Sequence, residues 1–421
     1  MALGRDLDMP LLLRCDELEP GMRLSEAIIH GGRRLLTGGK VLTHADVDSL
    51  RSRYPELSVR VVDPILDNIV GFEDDSRERE VAMTAQRKIS RTMSEVSRRF
   101  SSRMSITAMD VNAIHNSVTE VMDYLKKNPV SSVLLSHAAD ASSYLVEHAG
   151  SVFYLSMILG CAVRDYIDAE RRRRAQCRWL DYRISTDLLP LGLGAMVADL
   201  GMFPLQHLFA GDQPLSEDDR QAIREHPGAS ADMLPSDFPP IARAIVRTHH
   251  ESFDGSGYPG GLKGDRIHIF TRIVRIADAY DAATATHVYR EAKSAARAVW
   301  EMSVGPYSRF YDPVLMKVFT RLIQPFPIGA KLRLRDGRYA VVVRYNRQDP
   351  FKPTVVIAFD ANGKRLPDSK LEGPLSLAEQ HSLRIQSFGD EQLSYLHGCP
   401  SADELVLTRG DFATLFEAVF P

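Results

Sequence analysis

The hydrophobic and polar positions of this chain follow two different periods in separate stretches. From about residue 76 to 322, apolar residues recur at every third or fourth place. Ile89, Met93, Val96, Phe100 and Met104 form one such stripe, and Val111, Ile114, Val118, Val121 and Leu125 form a second that Asn128-Pro129 ends. This spacing is that of one face of a helix. No alternating stretch interrupts the region, which predicts an all-α domain. After Pro325 the period shortens to two. Residues 331–335, 340–345 and 354–359, punctuated by Asp336-Gly337 and 360–363, read as strands and hairpins. Residues 10 to about 65 read as a small mixed module. It carries turn signals at Gly31-Gly32 and Gly38-Gly39, a helix cap at Thr43-His44-Ala45-Asp46, and a strand, Ser58–Val62, closed by Pro64. The expected architecture is mainly α: an N-terminal module (1–66), a linker helix (67–108), a helical domain (109–325), a small β-domain (326–388) and a tail (389–421) without assignment.

Composition narrows the function classes. A length of 421 residues allows two to four domains. With 44% hydrophobic and 25% charged residues the chain has matter for a sizeable core. The net charge of −3 gives no global attraction to DNA or an anionic bilayer, so an anionic ligand must be captured locally. Cys15, Cys161, Cys177 and Cys399 are scattered, without a CxxC pair or a secretory segment ahead of them, which favours a reducing cytoplasm. The richest apolar stretch, 151–163, is shorter than the ~18 residues of a membrane span and reads as a core helix.

Five His/Asp elements carry the candidate chemistry. His249 and His250 follow a helix that starts at Pro239-Pro240 and shows Ile241, Ala244 and Ile245 on one face. Neighbouring helical positions lie ~100° apart, so two adjacent imidazoles can line one cavity, and neutral imidazole is a common ligand of divalent metals. Asp278, with Asp281 one turn later, lies in the helical run 270–284 among Val274, Ala277 and Ala285. A carboxylate buried there must be neutral, paired or bound to metal; Arg272 or Arg275 would be the structural partner. Ser216-Glu217-Asp218-Asp219 caps a helical turn ending at His226-Pro227. Asp199 is set inside an apolar helix, and His148 shares a helix face with Tyr144, Val152 and Leu155. Each histidine alone is more often a core or surface residue; five such elements in one domain are harder to dismiss.

The stretch His249-His250-Glu251 through Asp254-Gly255-Ser256-Gly257-Tyr258-Pro259, with Gly264 and Ile267 behind it, resembles the second signature of the HD-GYP proteins. These are metal-dependent phosphodiesterases of the HD superfamily that hydrolyse cyclic di-GMP. The resemblance covers roughly residues 109–325 and implies an HD-type helical domain. Flanking modules of this kind also resemble those that accompany the family. Position by position, it implies His148, Asp199, His226, His249, His250 and Asp278 as metal ligands, with Asp199 bridging. The interval of 28 residues from His250 to Asp278 fits. It also implies one or two divalent ions, iron or manganese, holding a hydroxide that attacks phosphorus. Arg290, Tyr258, Gly257 and Pro259 would contact substrate, and Gly257, Tyr258 and Pro259 would offer a docking surface for diguanylate cyclases or other signalling proteins in a bacterial cytoplasm.

Three positions depart from that pattern. Ala198 replaces the histidine that names the family, Met202 stands where a phosphate-facing lysine is usual, and His287 stands where an arginine is common. A methyl group cannot ligate and a thioether carries no charge. The resemblance therefore implies an impaired phosphodiesterase or, as the alternative, a catalytically inactive nucleotide sensor or scaffold using the GYP loop. Asp281 reads as a partner of a ligand or a helix-face carboxylate. The run Arg171-Arg172-Arg173-Arg174 reads as a solvated helix face, and Asp254 as a cap of its own loop. The stripe on the linker helix is expected to be buried against its own domain, with a homodimer seam as the alternative.

Overall fold

The structure, a computed structural model, describes residues 10–62 except 26, 31–32 and 56, residues 84–99 except 86–87 and 90, and residues 106–127, 144–175, 187–209, 216–285 and 292–398. It divides into two compact units, one built from the described parts of Met1–Arg77 and Gln324–Asp403, the other from those of Glu78–Ile323.

In the first unit, β1 (Pro10–Arg14) pairs antiparallel with β4 (Ser58–Val62), and β2 (Ile28–His30) with β3 (Arg33–Leu36). The helix α1 (His44–Arg53) starts as its cap predicts. Thr43 Oγ1 accepts from the Asp46 N–H at 3.3 Å and the Asp46 carboxylate accepts from the Thr43 N–H at 3.0 Å. The C-terminal strands β5 (Lys331–Leu334), β6 (Tyr339–Arg344), β7 (Thr354–Phe359), β8 (Glu372–Ser376), β9 (Ile385–Phe388) and β10 (Glu391–Gln392) form a sheet in the order β10-β9-β5-β6-β7-β8. The two segments that sequence patterning reads separately share one core: Leu11, Leu13, Val59 and Val61 pack with Val341, Val343, Val356 and Ala358. Neither a lone strand pair nor a small sheet buries enough apolar surface by itself.

The second unit is helical. Its stripe helix α2 (residues 91–99) and α3 (Ala108–Lys127) are tied by the bond between the Thr92 and Ser117 hydroxyls at 3.1 Å and by Arg99–Asp110 at 3.1 Å. Ile89, Met93 and Val96 are buried within the chain, while Phe100 and Met104 lie outside the described residues. The helix α4 (Tyr144–Ala162) is buried on nearly every side, with α5 (Arg164–Ala175) after it. Against α4 pack α6 (Leu189–Val197) and α9 (Ile269–Thr284), while α8 (Pro240–Thr248) packs on α6 and on α7 (Glu217–Met233). Gly192 and Gly194 let α6 approach closely: a Cβ at the first would sit 2.7 Å from Val118 Cγ1, and at the second 2.8 Å from Ile245 Cβ. The helices α10 (Ala295–Ser303) and α11 (Pro313–Leu322) complete the unit. Two stretches, Tyr144–Ala162 and Leu189–Leu208, are long and apolar enough to cross a membrane, but 83% and 67% of their apolar 18-residue windows are buried inside the fold. They form its core.

Candidate metal centre

Local backbone chemistry decides how each imidazole presents itself. The helix α7 does not end at His226-Pro227 as the proline suggests; it continues through Pro227 to Met233. Proline has no N–H, so the Ile223 carbonyl four residues back loses its helical donor. His226 Nδ1 takes that carbonyl at 2.6 Å, which puts its proton on Nδ1 and leaves the Nε2 lone pair facing the site. His249 follows α8, whose last carbonyls lack helical donors, and its Nδ1 donates to the Val246 carbonyl at 2.8 Å. His148 Nδ1 lies 2.7 Å from Asp281 Oδ2, so Asp281 orients this ring in the manner of a carboxylate behind a metal-binding histidine.

Asp199 also departs from expectation. It is not inside a helix: α6 stops at Val197 with Ala198 as its cap, and a 3-10 stretch, Leu200–Phe209, follows. Gly201 explains the break. Its N–H donates to Ser230 Oγ at 2.8 Å, and a Cβ there would come within 2.6 Å of the His226 carbonyl, so the chain is drawn against α7 at this point. The carboxylate of Asp199 is thereby placed among the histidines of α4, α7 and the end of α8. Its Oδ1 is 3.1 Å from His226 Nε2 and 3.6 Å from His249 Nε2, while Oδ2 is 3.3 Å from His148 Nε2.

Two groups of donor atoms result, each lying within 4.8 Å of one another: Asp199, His226, His249 and His250, and His148, Asp199 and Asp278. Asp199 belongs to both. His148 Nε2 is 3.2 Å from Asp278 Oδ1, and His250 Nδ1 is 3.7 Å from Asp278 Oδ2. In the larger group His226 Nε2 and His249 Nε2 stand 3.1 Å apart. With both Nδ1 protons held by carbonyls, the two Nε2 atoms face each other and can share either a proton or a metal cation. The donor set of imidazole and carboxylate suits a divalent transition metal.

Electrostatics in the ion-free chain follow the same layout. Burial favours the neutral form of His148, but Tyr144 and hydrogen bonds to Asp199, Asp278 and Asp281 outweigh it and raise its pKa well above 6.5. Burial likewise opposes charge on His226, yet the bond to Asp199 raises its pKa. Burial and the neighbouring His249 hold His250 well below the usual imidazole value. Asp199 and Asp278 resist the upward push of burial and stay low because His148 bonds to both. A cation at this position would replace those shared protons.

The GYP loop closes one side. Tyr258 stacks on His250, ring centroids 4.9 Å apart. Gly257 is required there, since a Cβ would lie 2.2 Å from the Ser252 nitrogen and 2.4 Å from the His250 carbonyl oxygen. Asp254 caps its own loop, accepting from the Ser256 N–H at 3.0 Å. Sequence reading left Glu251 without a role. It is buried and accepts from the Gly260 and Leu262 N–H groups at 2.6 and 2.8 Å, holding the loop in shape. Its position directly after the histidine pair was the available signal.

Arg272 is not the partner of Asp278. It binds Glu170 at 2.9 Å and Asp312 at 2.7 Å, and Glu170 and Asp312 are too buried to remain unpaired. Arg275 lies 3.5 Å from Asp278. In the arginine run Arg172 and Arg173 are exposed, as expected of a solvated face, with Arg173 contacting Glu170, while Arg171 packs over Phe270; the Arg174 side chain lies outside the described residues. Ala198 and Met202 are both buried. His287, Arg290, Cys177 and Cys399 fall outside the described residues.

Parts of both units match known domain families. Residues 187–315 match the HD domain model, and residues 332–392 match a KOW domain associated with HD domain. The chain is 29% identical over 177 residues to a cyclic di-GMP phosphodiesterase of Pseudomonas aeruginosa, covering 41% of this chain and 42% of that protein. It is 26% identical over 234 residues to one of Thermotoga maritima, covering 52% and 61%. These matches span less than two thirds of either relative's length. The solved structure of Bd1817, a HDG"Y"P protein from Bdellovibrio bacteriovorus, aligns over 73% of this chain and 96% of that chain, at 14% identity and a TM-score of 0.37. Over residues 187–315 this chain thus carries a match to the HD domain and is similar in sequence to cyclic di-GMP phosphodiesterases, with Ala198 directly before Asp199.

Proposed function

We propose that the chain works in cyclic di-GMP signalling as a metal-dependent phosphodiesterase of reduced activity. The observation that carries this reading is the sharing of Asp199 between two donor groups whose imidazole lone pairs converge. Asp199, His226, His249 and His250 would hold one ion, and His148, Asp199 and Asp278 a second, with iron or manganese suiting the imidazole and carboxylate donors. Paired divalent ions supply charge neutralisation at phosphorus and lower the pKa of a nucleophilic water. The protein's own part is positional. Asp199 spaces the two donor groups, Asp281 and two backbone carbonyls set the imidazole tautomers, and the GYP loop holds His250 through Tyr258. Substrate contacts would come from Tyr258, Gly257, Pro259 and Arg290. The relatives' activity on cyclic di-GMP supports the choice of substrate. Cys15 carries a buried free thiol, in keeping with a reducing cytoplasm.

A second reading is supported by the loss at Ala198, which leaves the smaller group with three protein ligands. On that reading the chain is an inactive dinucleotide sensor or a scaffold that docks diguanylate cyclases or other signalling proteins through Gly257, Tyr258 and Pro259. Metal analysis of protein purified under reducing conditions, paired with a turnover assay on cyclic di-GMP, separates the two. Bound metal with slow linear product is expected; bound metal without product removes the enzyme reading. Protein without metal also removes the enzyme reading and leaves the sensor or scaffold.

A further inference from the structure

Two arginines three residues apart on α9 have opposite fates. Arg272 is saturated: besides Glu170 and Asp312, its Nε donates to the Ile267 carbonyl at 3.0 Å. Arg275 is not. Its Nε is buried without a hydrogen-bond partner among the described residues, and its nearest ion-pair contact is the single 3.5 Å approach to Asp278 Oδ2. The guanidinium lies over the Tyr311 ring, 5.6 Å from the centroid, and the side chain keeps 19% of its surface open. An arginine kept only to neutralise a carboxylate would be expected to use the two-pronged geometry that guanidinium and carboxylate share. The same Asp278 oxygen faces His250 Nδ1, so the arginine head lies beside the ligand groups. Once Asp278 and its neighbours serve a divalent ion, the carboxylate charge is shared and Arg275 is left with donors to spare.

We propose that Arg275 is an anion-binding residue of this site, donating to a non-bridging phosphate oxygen and supplying the positive charge that Met202 cannot. This rests on the reading of the site as a metal centre for a phosphodiester. The charge comes from one turn before Asp278 instead of three residues after Asp199, so it is independent of the segment in which the HD pair has changed.

The test uses the full chain loaded with Mn²⁺, inorganic phosphate as probe, and calorimetric titration together with metal content and thermal midpoint. The wild-type chain is expected to bind phosphate. Arg275→Gln is expected to weaken that binding by roughly tenfold to a hundredfold at unchanged metal content, the range for a charge-assisted hydrogen bond. Arg275→Lys, which keeps charge without the fork, is expected to recover part of it. Equal phosphate affinity in wild type and Arg275→Gln overturns the proposal, as does absence of phosphate binding by the metal-loaded wild type. A phosphate loss that tracks a loss of metal in both variants also overturns it, because Arg275 would then serve Asp278 alone. Phosphate binding that depends on Arg275 in a chain that ignores cyclic di-GMP supports the residue's role and counts only against the dinucleotide.

Discussion

The two donor groups of the centre are built differently, although they share Asp199. In the larger group, backbone carbonyls fix His226 and His249: one is freed by Pro227, the other by the end of α8. Their geometry is supplied by the main chain and resists side-chain substitution elsewhere. In the smaller group the ring of His148 is oriented by a side chain, Asp281, and the residue before Asp199, where the resemblance implies a histidine, is alanine. Rings fixed by main-chain carbonyls are expected to keep their orientation when a neighbouring side chain is lost, whereas the ring held by Asp281 depends on that side chain.

Four experiments break or sharpen that contrast, in descending order of effect. Asp199→Ala removes the shared carboxylate, so both ions should be lost and any turnover should fall by on the order of a thousandfold or more, read by elemental analysis and product formation; retention of both ions would show that the groups are independent. Gly257→Ala places a methyl against the Ser252 nitrogen and the His250 carbonyl, and should destabilise the helical unit by roughly 1–3 kcal/mol and displace Tyr258 from His250, seen as a lower denaturation midpoint. Asp281→Asn should weaken the ion of the smaller group by about 10–100-fold while leaving the larger group's ion in place. Ala198→His should raise metal occupancy of the smaller group and any activity. No change in either would mean that the space beside Ala198 has closed.

The acid–base behaviour of the ion-free chain offers a milder probe. His148 has a raised pKa in the folded state, so its stabilisation is fully present below the ordinary value of 6.5 and is lost as pH rises through the raised one. Asp199 and Asp278 are held low, so their stabilisation is present above 3.8 and is lost only as pH falls through the depressed values. With chelator present, the thermal midpoint should therefore decline as pH rises through the raised value of His148, while His250, held low, works the other way only below 6.5. Adding Mn²⁺ should reverse the alkaline trend, since metal competes with protons for the same nitrogens. A midpoint that keeps rising with pH above 6.5 in chelator would contradict this assignment.

Much was legible in advance because it is local. Helical periodicity located the all-α unit, alternation located β5, β6 and β7, and the Thr43 and Ser216 caps marked helix starts that the structure keeps. Helix ends around the site were less legible. Pro227 normally argues for a stop, yet α7 passes through it because a neighbouring imidazole satisfies the carbonyl that proline orphans. The turn at Asp199 depends on how closely Gly201 must meet α7.

What the sequence alone determined were residue types and spacings: which imidazoles and carboxylates exist, which share a helix, and that an alanine stands where a ligand is usual. Tertiary structure decided the partners. That Arg272 serves Glu170 and Asp312 while Arg275 stays near Asp278, that Asp281 steadies His148, and that the N-terminal strands share a core with the C-terminal sheet all depend on segments far apart in the chain. Pairing of buried charge and closure of a core are set by three-dimensional proximity, which local periodicity does not encode.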